Sequence, residues 1–169
     1  DSMRTAQKYH QQRMEAKEGN KESHTWISED LVKCMELLTV APRMRETVRL
    51  CAIELWQDVD AGEAHEVDER NPASGTNQSA VSTSTLLAGC LGFAVGSVYH
   101  DFTMFTLKHD EHSYGSFLTR VIGAALEECG YRLWYWGFRV DYMSDYEKRC
   151  GAVQMPRRDF YDLWTIYRD

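Results

Sequence analysis

The chain has 169 residues, of which 43% are hydrophobic and 27% are charged, and its net charge is −7. This length and apolar content suit a single globular domain, residues 1–169, with a real core. The negative charge argues against a nucleic acid or an anionic membrane as the main partner, because both attract basic surfaces. Only 3 prolines occur and no rhythm of short strands and turns is visible, so the composition favours helices.

The first part of the chain predicts three helices. Residues 3–18 are rich in helix-forming residues. A second helix follows Ser28, which is a favourable N-cap, and runs to about residue 39. Pro42 suits the first position of a third helix, over 42–59. An apolar stripe at helical spacing supports that helix: Met44, Val48, Cys51, Ala52, Leu55 and Val59.

Residues 60–79 are acidic at first and then rich in Gly, Ser and Asn. They contain almost no side chain that can pack, so we expect a long mobile loop within the domain. The acidic part, 63–69, lacks the ordered ligand spacing of an EF-hand, which favours a solvated loop over a calcium site.

Residues 84–99 are the only long run without a charge. A helix that is apolar on every side must be buried on every side, so we expect a central helix surrounded by the others. Gly89, Gly92 and Gly96 each cost about 1 kcal/mol against alanine within a helix, a cost that close helix packing would offset. The alternative is a buried strand, because periodicity does not distinguish the two in a short apolar run. A membrane span is disfavoured, since a bilayer requires roughly 20 apolar residues.

The second half of the chain predicts a long helix over about 115–140, kinked at Gly130, and a short last helix. The apolar residues of the long helix recur at helical spacing: Leu118, Val121, Ile122, Ala125, Leu126, Cys129, Leu133 and Trp136. Pro156 starts the last helix, whose apolar face is formed by Phe160, Leu163, Trp164 and Tyr167. Together these elements predict an all-α, single-domain bundle of six or seven helices around 84–99.

The cysteines are an odd, dispersed set without a CxxC pair: Cys34, Cys51, Cys90, Cys129 and Cys150. Such a set indicates reduced, buried thiols in a cytoplasmic protein rather than a disulfide framework. Asp1 and Ser2 before Met3 look like an expression remnant. They leave open a missing native N-terminus, and the C-terminus leaves open a lost membrane tail, through which the protein could associate with a membrane.

The order of the predicted helices resembles the Bcl-two (B-cell lymphoma two) family of apoptosis regulators and their viral relatives. Residues 44–59, MRETVRLCAIELWQDV, are similar to the helix before the family's central hairpin. Residues 118–138, LTRVIGAALEECGYRLWYWGF, are similar to the second hairpin helix, and residues 27–38 loosely fit the family's BH-three helix. The family's Asn-Trp-Gly-Arg signature is missing, because Ser82 to Thr85 stand where it should open the central helix.

The resemblance implies a non-enzymatic protein without a cofactor, which binds an amphipathic helix of a partner in a hydrophobic groove and modulates apoptosis. The groove would lie between 28–39 and 42–59, over the central helix. Its candidate residues are Met35, Val48, Cys51, Leu55 and Phe93, with Arg45 or Arg49 available to an acidic residue of the ligand. Plain core packing is the competing explanation for each apolar candidate.

Three alternatives remain. Divergent viral relatives of the family block host innate immune signalling instead of binding death ligands. The aromatic stretch 131–138 has too many large rings to face inward on one helix, which would suit a helical scaffold or oligomerisation protein, for instance a homodimer. A small helical enzyme would use a metal held by His100, His109 and His112, although no HExxH or Cys/His ligand spacing is present.

Overall fold

The computed structural model describes residues 2–18, 26–41, 47–58, 84–140 and 143–169. Four strands form one mixed sheet in the order β1-β2-β3-β4: β1 (Arg49–Asp58), β2 (Ser84–Val95), β3 (Val98–Thr106) and β4 (Leu133–Tyr135). The helices in these ranges are α1 (Ser2–Glu18), α2 (Glu29–Val40), α3 (Tyr114–Glu128), α4 (Ser144–Cys150) and α5 (Arg157–Arg168). The fold is α/β, and the predicted all-α bundle of six or seven helices is wrong.

Residues 84–99 form β2 and the start of β3 instead of a central helix. The two strands pair antiparallel with Val95 opposite Val98, so Gly96 and Ser97 make the whole turn. Gly96 has a φ of 56°, which glycine adopts without strain. The helix prediction for this stretch is therefore wrong, and its strand alternative is correct.

Two glycines of β2 lie under aromatic rings of β3. Phe105 covers Gly89 on one face of the sheet, and Tyr99 covers Gly92 on the other face. A Cβ atom at either glycine would overlap the ring above it. The groups that approach these glycines closely are therefore cross-strand aromatic side chains and not the neighbouring helices that were predicted.

Residues 49–58 form strand β1, which carries apolar side chains on both faces, so the helix predicted over 42–59 is wrong over these residues. Cys51, Ile53 and Leu55 pack against the cluster of buried residues under α3, whereas Leu50 alternates to the face covered by α1 and α2. A period of two accounts for Leu50 and Ile53, which the predicted helical stripe left out.

The long helix predicted over 115–140 ends early because Gly130 stops it. Gly130 has a φ of 78° and donates its N–H to the carbonyl of Glu127, and the N–H of Tyr131 donates to the carbonyl of Leu126 at 2.9 Å. This pair of bonds is a Schellman motif, in which a left-handed glycine ends a helix. The aromatic residues that follow form β4, which runs parallel to the start of β3.

α3 covers one face of the sheet, and α1, α2 and α5 cover the other. The buried cluster under α3 consists of Ala88, Cys90, Ala94, Tyr99, Leu118, Ile122 and Leu126. The buried cluster under α1 and α2 consists of Ala6, Ile27, Val32 and Phe105. α5 packs beside it, where the ring centroids of Phe160 and Tyr135 are 4.4 Å apart. The hairpin turn holds the end of α5, since the Ser97 N–H and hydroxyl both donate to the carbonyl of Tyr167.

Two predicted helix starts, after Ser28 and after Pro156, are confirmed, whereas the start predicted at Pro42 lies outside the described residues. The hydroxyl of Ser28 accepts the N–H of Leu31 at 3.2 Å and caps α2. Ile27 and Val32 are fully buried in one cluster, as a hydrophobic staple requires. α5 starts directly after Pro156, and its predicted apolar face is half-buried: Phe160, Leu163, Trp164 and Tyr167.

The resemblance to the Bcl-two family is wrong, because a four-stranded sheet lies at the centre of this chain. The stretch 44–59 that carried the resemblance contains β1, and the stretch 118–138 contains most of α3, a turn and β4. The apoptotic and viral roles that came with the family therefore lose their support.

Three further predictions concern the loop over 60–79, the burial of the cysteines and a membrane span. The loop predicted over 60–79 lies outside the described residues. All five cysteines are unpaired, but Cys34, Cys129 and Cys150 are exposed and not buried as predicted. In the part of the chain that is described, no helix is both long enough and apolar enough to cross a membrane.

Candidate functional site

An apolar groove of about 280 Å³ lies between α1 and α2, above β1 and β2. We call it the α1–α2 groove. Its apolar lining comes from both helices and three strands: Met3, Met35, Leu50, Leu91, Phe93 and Phe102. Polar side chains contribute at Ser2, Arg4, Glu36 and Thr39. The groove therefore has room for apolar side chains of a partner and has charged groups within reach of them.

Two buried residues fix the walls of the groove. Ala6 of α1 and Val32 of α2 are both 0% exposed and belong to one cluster. Above them, Arg4 forms ion pairs with Glu29 at 3.3 Å and with Glu36 at 3.0 Å, and the three side chains are about half exposed. Because water screens exposed ion pairs, these contacts hold the two helices together only weakly.

The structure brings three of the predicted groove residues together. Met35 of α2, Cys51 of β1 and Phe93 of β2 all line the α1–α2 groove. Cys51 also packs against the cluster under α3. Burial raises the pKa of its thiol, and the positive charge of Arg49 opposes that shift. The thiol stays protonated at neutral pH, so Cys51 is not primed as a nucleophile.

The remaining predicted residues do not join them. Leu55 packs against the cluster under α3, and Val48 is half-buried just before β1. Arg49 is exposed and donates to the hydroxyl of Tyr131 at 3.1 Å. Arg45 lies outside the described residues. The arginine that does line the groove is Arg4.

Large apolar side chains stay exposed in the two elements that flank the groove. In α2, Leu37 is 64% exposed and Val40 is 67% exposed, and in β1 Trp56 is 49% exposed. The Trp56 indole N–H donates to Glu54 at 3.0 Å, and Glu54 also accepts from the hydroxyl of Ser2. Exposed apolar side chains beside an apolar groove are typical of interaction sites.

Sequence reasoning missed part of this site. Leu50 and Leu91 line the groove because alternate residues of a strand point to the same face. The helical interpretation of both stretches hid that alternation. Met3 and Arg4 were missed because no local pattern shows that α1 lies beside α2.

The three histidines proposed as metal ligands are not brought together. The ring of His100 stacks on Tyr135 with centroids 4.8 Å apart, whereas His109 and His112 are exposed between β3 and α3. Among the residues with described positions, no group of three His, Cys, Asp or Glu side chains could hold a metal ion.

Most of the aromatic stretch 131–138 is packed against neighbouring rings. The Tyr131 ring lies on Tyr99, with centroids 6.2 Å apart, and Trp134 meets Trp136 at 4.8 Å. Phe138, in contrast, is 90% exposed. The stretch therefore serves mainly as core and as a strand.

Comparison of the chain with protein-family models, with curated proteins and with solved structures finds no match. Fold and groove define the chain as an α/β domain with a mixed sheet and an apolar groove on one face. Its function has to be argued from its own geometry.

Proposed function

We propose that this protein is a non-enzymatic interaction module that binds an amphipathic helix of a partner protein in the α1–α2 groove. The observation that carries the proposal is the apolar lining of the groove together with two exposed apolar residues of the adjoining helix, Leu37 and Val40. Residues three apart on a helix lie side by side, so these two form one small apolar surface.

A helical partner suits this arrangement. In helix-in-groove recognition, one apolar face supplies an anchor that enters the groove and further anchors that cover its rim. Met35 and Phe93 would receive the entering side chain, and Val40, four residues after Glu36 and so on the same side of α2, would contact a flanking one. Each fully buried apolar anchor contributes about 1.5–3 kcal/mol. Micromolar binding corresponds to about 8 kcal/mol, and association costs at least about 4 kcal/mol of entropy, so roughly four to eight such anchors are needed.

Arg4 and Glu36 would give the groove its polar selectivity. Their ion pair is exposed, so a carboxylate of the partner can take the place of Glu36 on Arg4 with little net loss. The preferred partner helix would carry an acidic residue beside its apolar face.

Control of apoptosis and inhibition of innate immune signalling were implied by the Bcl-two resemblance alone. The α/β fold removes that support. The proposal therefore names a mode of binding and no pathway.

Calorimetric titration with a panel of amphipathic helical peptides tests the proposal. Val40→Glu should weaken the tightest peptide by about tenfold or more, because it places a charge in an apolar contact. Ile166→Glu is the matched control, since Ile166 is 66% exposed on α5 and Val40 is 67% exposed on α2. Both variants should keep the parental melting temperature, because neither side chain is buried.

Two results would contradict the proposal. One is the same affinity for the Val40→Glu and Ile166→Glu variants. The other is the absence of measurable heat for every peptide at about 50 µM, which corresponds to binding too weak for a specific groove.

A second candidate function is strand addition at β1. Its 10 residues pair with β2, and within the described ranges no strand lies on its other side. An unpaired edge of this length offers backbone N–H and carbonyl groups to an extended segment or to a second copy of the chain. Amide hydrogen exchange distinguishes the two candidates. Strand addition protects the backbone amides at the outer edge of β1, whereas a helix in the groove leaves those amides free to exchange.

A further inference from the structure

A second and larger cavity, of about 750 Å³, lies at the edge of β3 away from β2. We call it the β3-edge cavity. β4 pairs only with Val98, Tyr99 and His100, so the rest of β3 has no strand on that side among the described residues. α1 and α3 extend beyond this edge from the two faces of the sheet, and the chain after β4 closes the third side. A volume of this size is in the range of small-molecule sites, roughly 300–1,000 Å³.

Aromatic rings form much of the wall. Trp26 and Phe102 meet edge to face with centroids 4.9 Å apart, and Trp136 meets Tyr146 at 5.4 Å and 89°. All four residues line the cavity. They come from separate parts of the chain and present ring faces and edges to the same space, which favours a flat aromatic ligand.

Positive charge converges on the cavity from three helices. Arg13 of α1, Arg120 of α3 and Arg149 of α4 all line it. Within the described part of the chain, none of the three forms an ion pair. The chain as a whole carries a net charge of −7, so a cavity lined by three arginines has the opposite charge to the protein as a whole.

Two other titratable groups of the lining are already engaged. Asp101 accepts a hydrogen bond from the thiol of Cys90 at 3.1 Å, and His10 Nε2 lies 2.7 Å from the hydroxyl of Thr103. Burial raises the pKa of Asp101 to about 6 and lowers the pKa of His10, with Arg13 adding to the latter shift. The arginines are therefore the charged groups left for a ligand.

We propose that the β3-edge cavity binds an aromatic anion, a flat ring system that carries a carboxylate, sulfonate or phosphate. The ring system packs between Trp26, Phe102 and Trp136. The anionic group accepts hydrogen bonds from the guanidinium groups at the rim, a pairing in which both partners are charged and the geometry is bidentate. This site shares only Phe102 with the α1–α2 groove and does not depend on the function proposed for the groove.

The first test compares three naphthalene probes with the full chain by equilibrium dialysis: 2-naphthoate, 2-naphthalenemethanol and 2-naphthylmethylammonium. They share one ring system and differ in the charge of the head group. The naphthoate should bind about tenfold or more tighter than the neutral alcohol, since it adds hydrogen bonds between charged groups. The ammonium should bind more weakly than the alcohol. Equal affinities for the three probes, or no binding of the naphthoate, would overturn the proposal.

The second test locates the bound probe. Arg120→Gln should weaken the naphthoate about tenfold and leave the alcohol nearly unchanged. Arg158→Gln is the control, because Arg158 is exposed on α5 and does not line the cavity. Trp136→Leu should weaken both probes, and its melting temperature shows whether it is folded. If Arg158→Gln and Arg120→Gln weaken the naphthoate equally, the binding is nonspecific attraction to surface charge and the assigned site is wrong.

Discussion

Burial of the Asp101 side chain disfavours the charged form of its carboxyl group. Burial raises its pKa from an ordinary 3.8 to about 6, and the hydrogen bond from the Cys90 thiol opposes this only partly. Burial also raises the pKa of both neighbours, Cys90 and Tyr99, so neither supplies a charge at neutral pH. Replacing the carboxyl with an amide should therefore stabilise the protein.

The sign of the effect follows from proton linkage. The folded state holds the Asp101 proton more tightly than the unfolded state, so between pH 3.8 and about 6 the folded state binds more protons. The free energy of unfolding then falls as the pH rises through that window. The difference corresponds to about 3 kcal/mol, which the partial exposure of the side chain reduces to about 2 kcal/mol.

Asp101→Asn keeps a carbonyl oxygen that can accept the Cys90 thiol and removes the charge. Urea unfolding at a series of pH values from 4 to 8 should show this variant about 2 kcal/mol more stable than the parent at pH 7, and equal to it near pH 4. Asp162→Asn, at an exposed position of α5, controls for the change in net charge. A variant that is no more stable than the parent at pH 7 would refute the reasoning.

Two glycine substitutions separate steric from backbone effects. Gly92→Ala should lower the free energy of unfolding by about 1–3 kcal/mol, because the new Cβ overlaps the ring of Tyr99 and the carbonyl of His100; an unchanged urea midpoint would mean that this space is open. Gly130→Ala should cost about 1 kcal/mol through its φ of 78° alone, since in the described ranges no atom beyond the chain neighbours lies within 4 Å of the new Cβ. A cost as large as that of Gly92→Ala in the same urea series would contradict this assignment to the backbone.

The sequence was sufficient where a structural signal is local. Ser28 caps α2 through a bond to a residue three positions away, and Pro156 precedes α5 as expected from its missing N–H. The hydrophobic staple of Ile27 and Val32 is equally local. Such contacts depend on few neighbours, so the sequence pattern determines them.

The sequence was insufficient where the structure depends on pairing between distant segments. Residues 84–99 carry no charge, and an element that is apolar on all sides has no period by which helix and strand could be told apart. A hairpin signal was present, because Gly96 and Ser97 stand between two apolar runs and the second run is rich in aromatic residues. Interpreting Gly96 and Ser97 as a hairpin turn, instead of placing all three glycines inside one helix, would have predicted the correct strands.

The candidate site shows the same limit. Met35 and Phe93 lie in the groove, but they were selected for a helical bundle that does not exist. Leu91 was missed because its position follows from the register of β2 against β1, in which Leu91 lies opposite Ala52. The arginines of the β3-edge cavity belong to three different helices, and no sequence spacing links them.

The central claim is that a partner helix binds in the α1–α2 groove, and the methionine methyl groups report on it directly. Of the 7 methionines, Met3 and Met35 line the groove. Three others line the β3-edge cavity instead: Met14, Met104 and Met143. In methyl NMR spectra of methionine-labelled protein titrated with the amphipathic peptides, we expect saturable shifts at Met3 and Met35 and little change at the other three. Saturable shifts confined to the methionines of the β3-edge cavity, or no saturable shift at Met35 with any peptide, would contradict the claim.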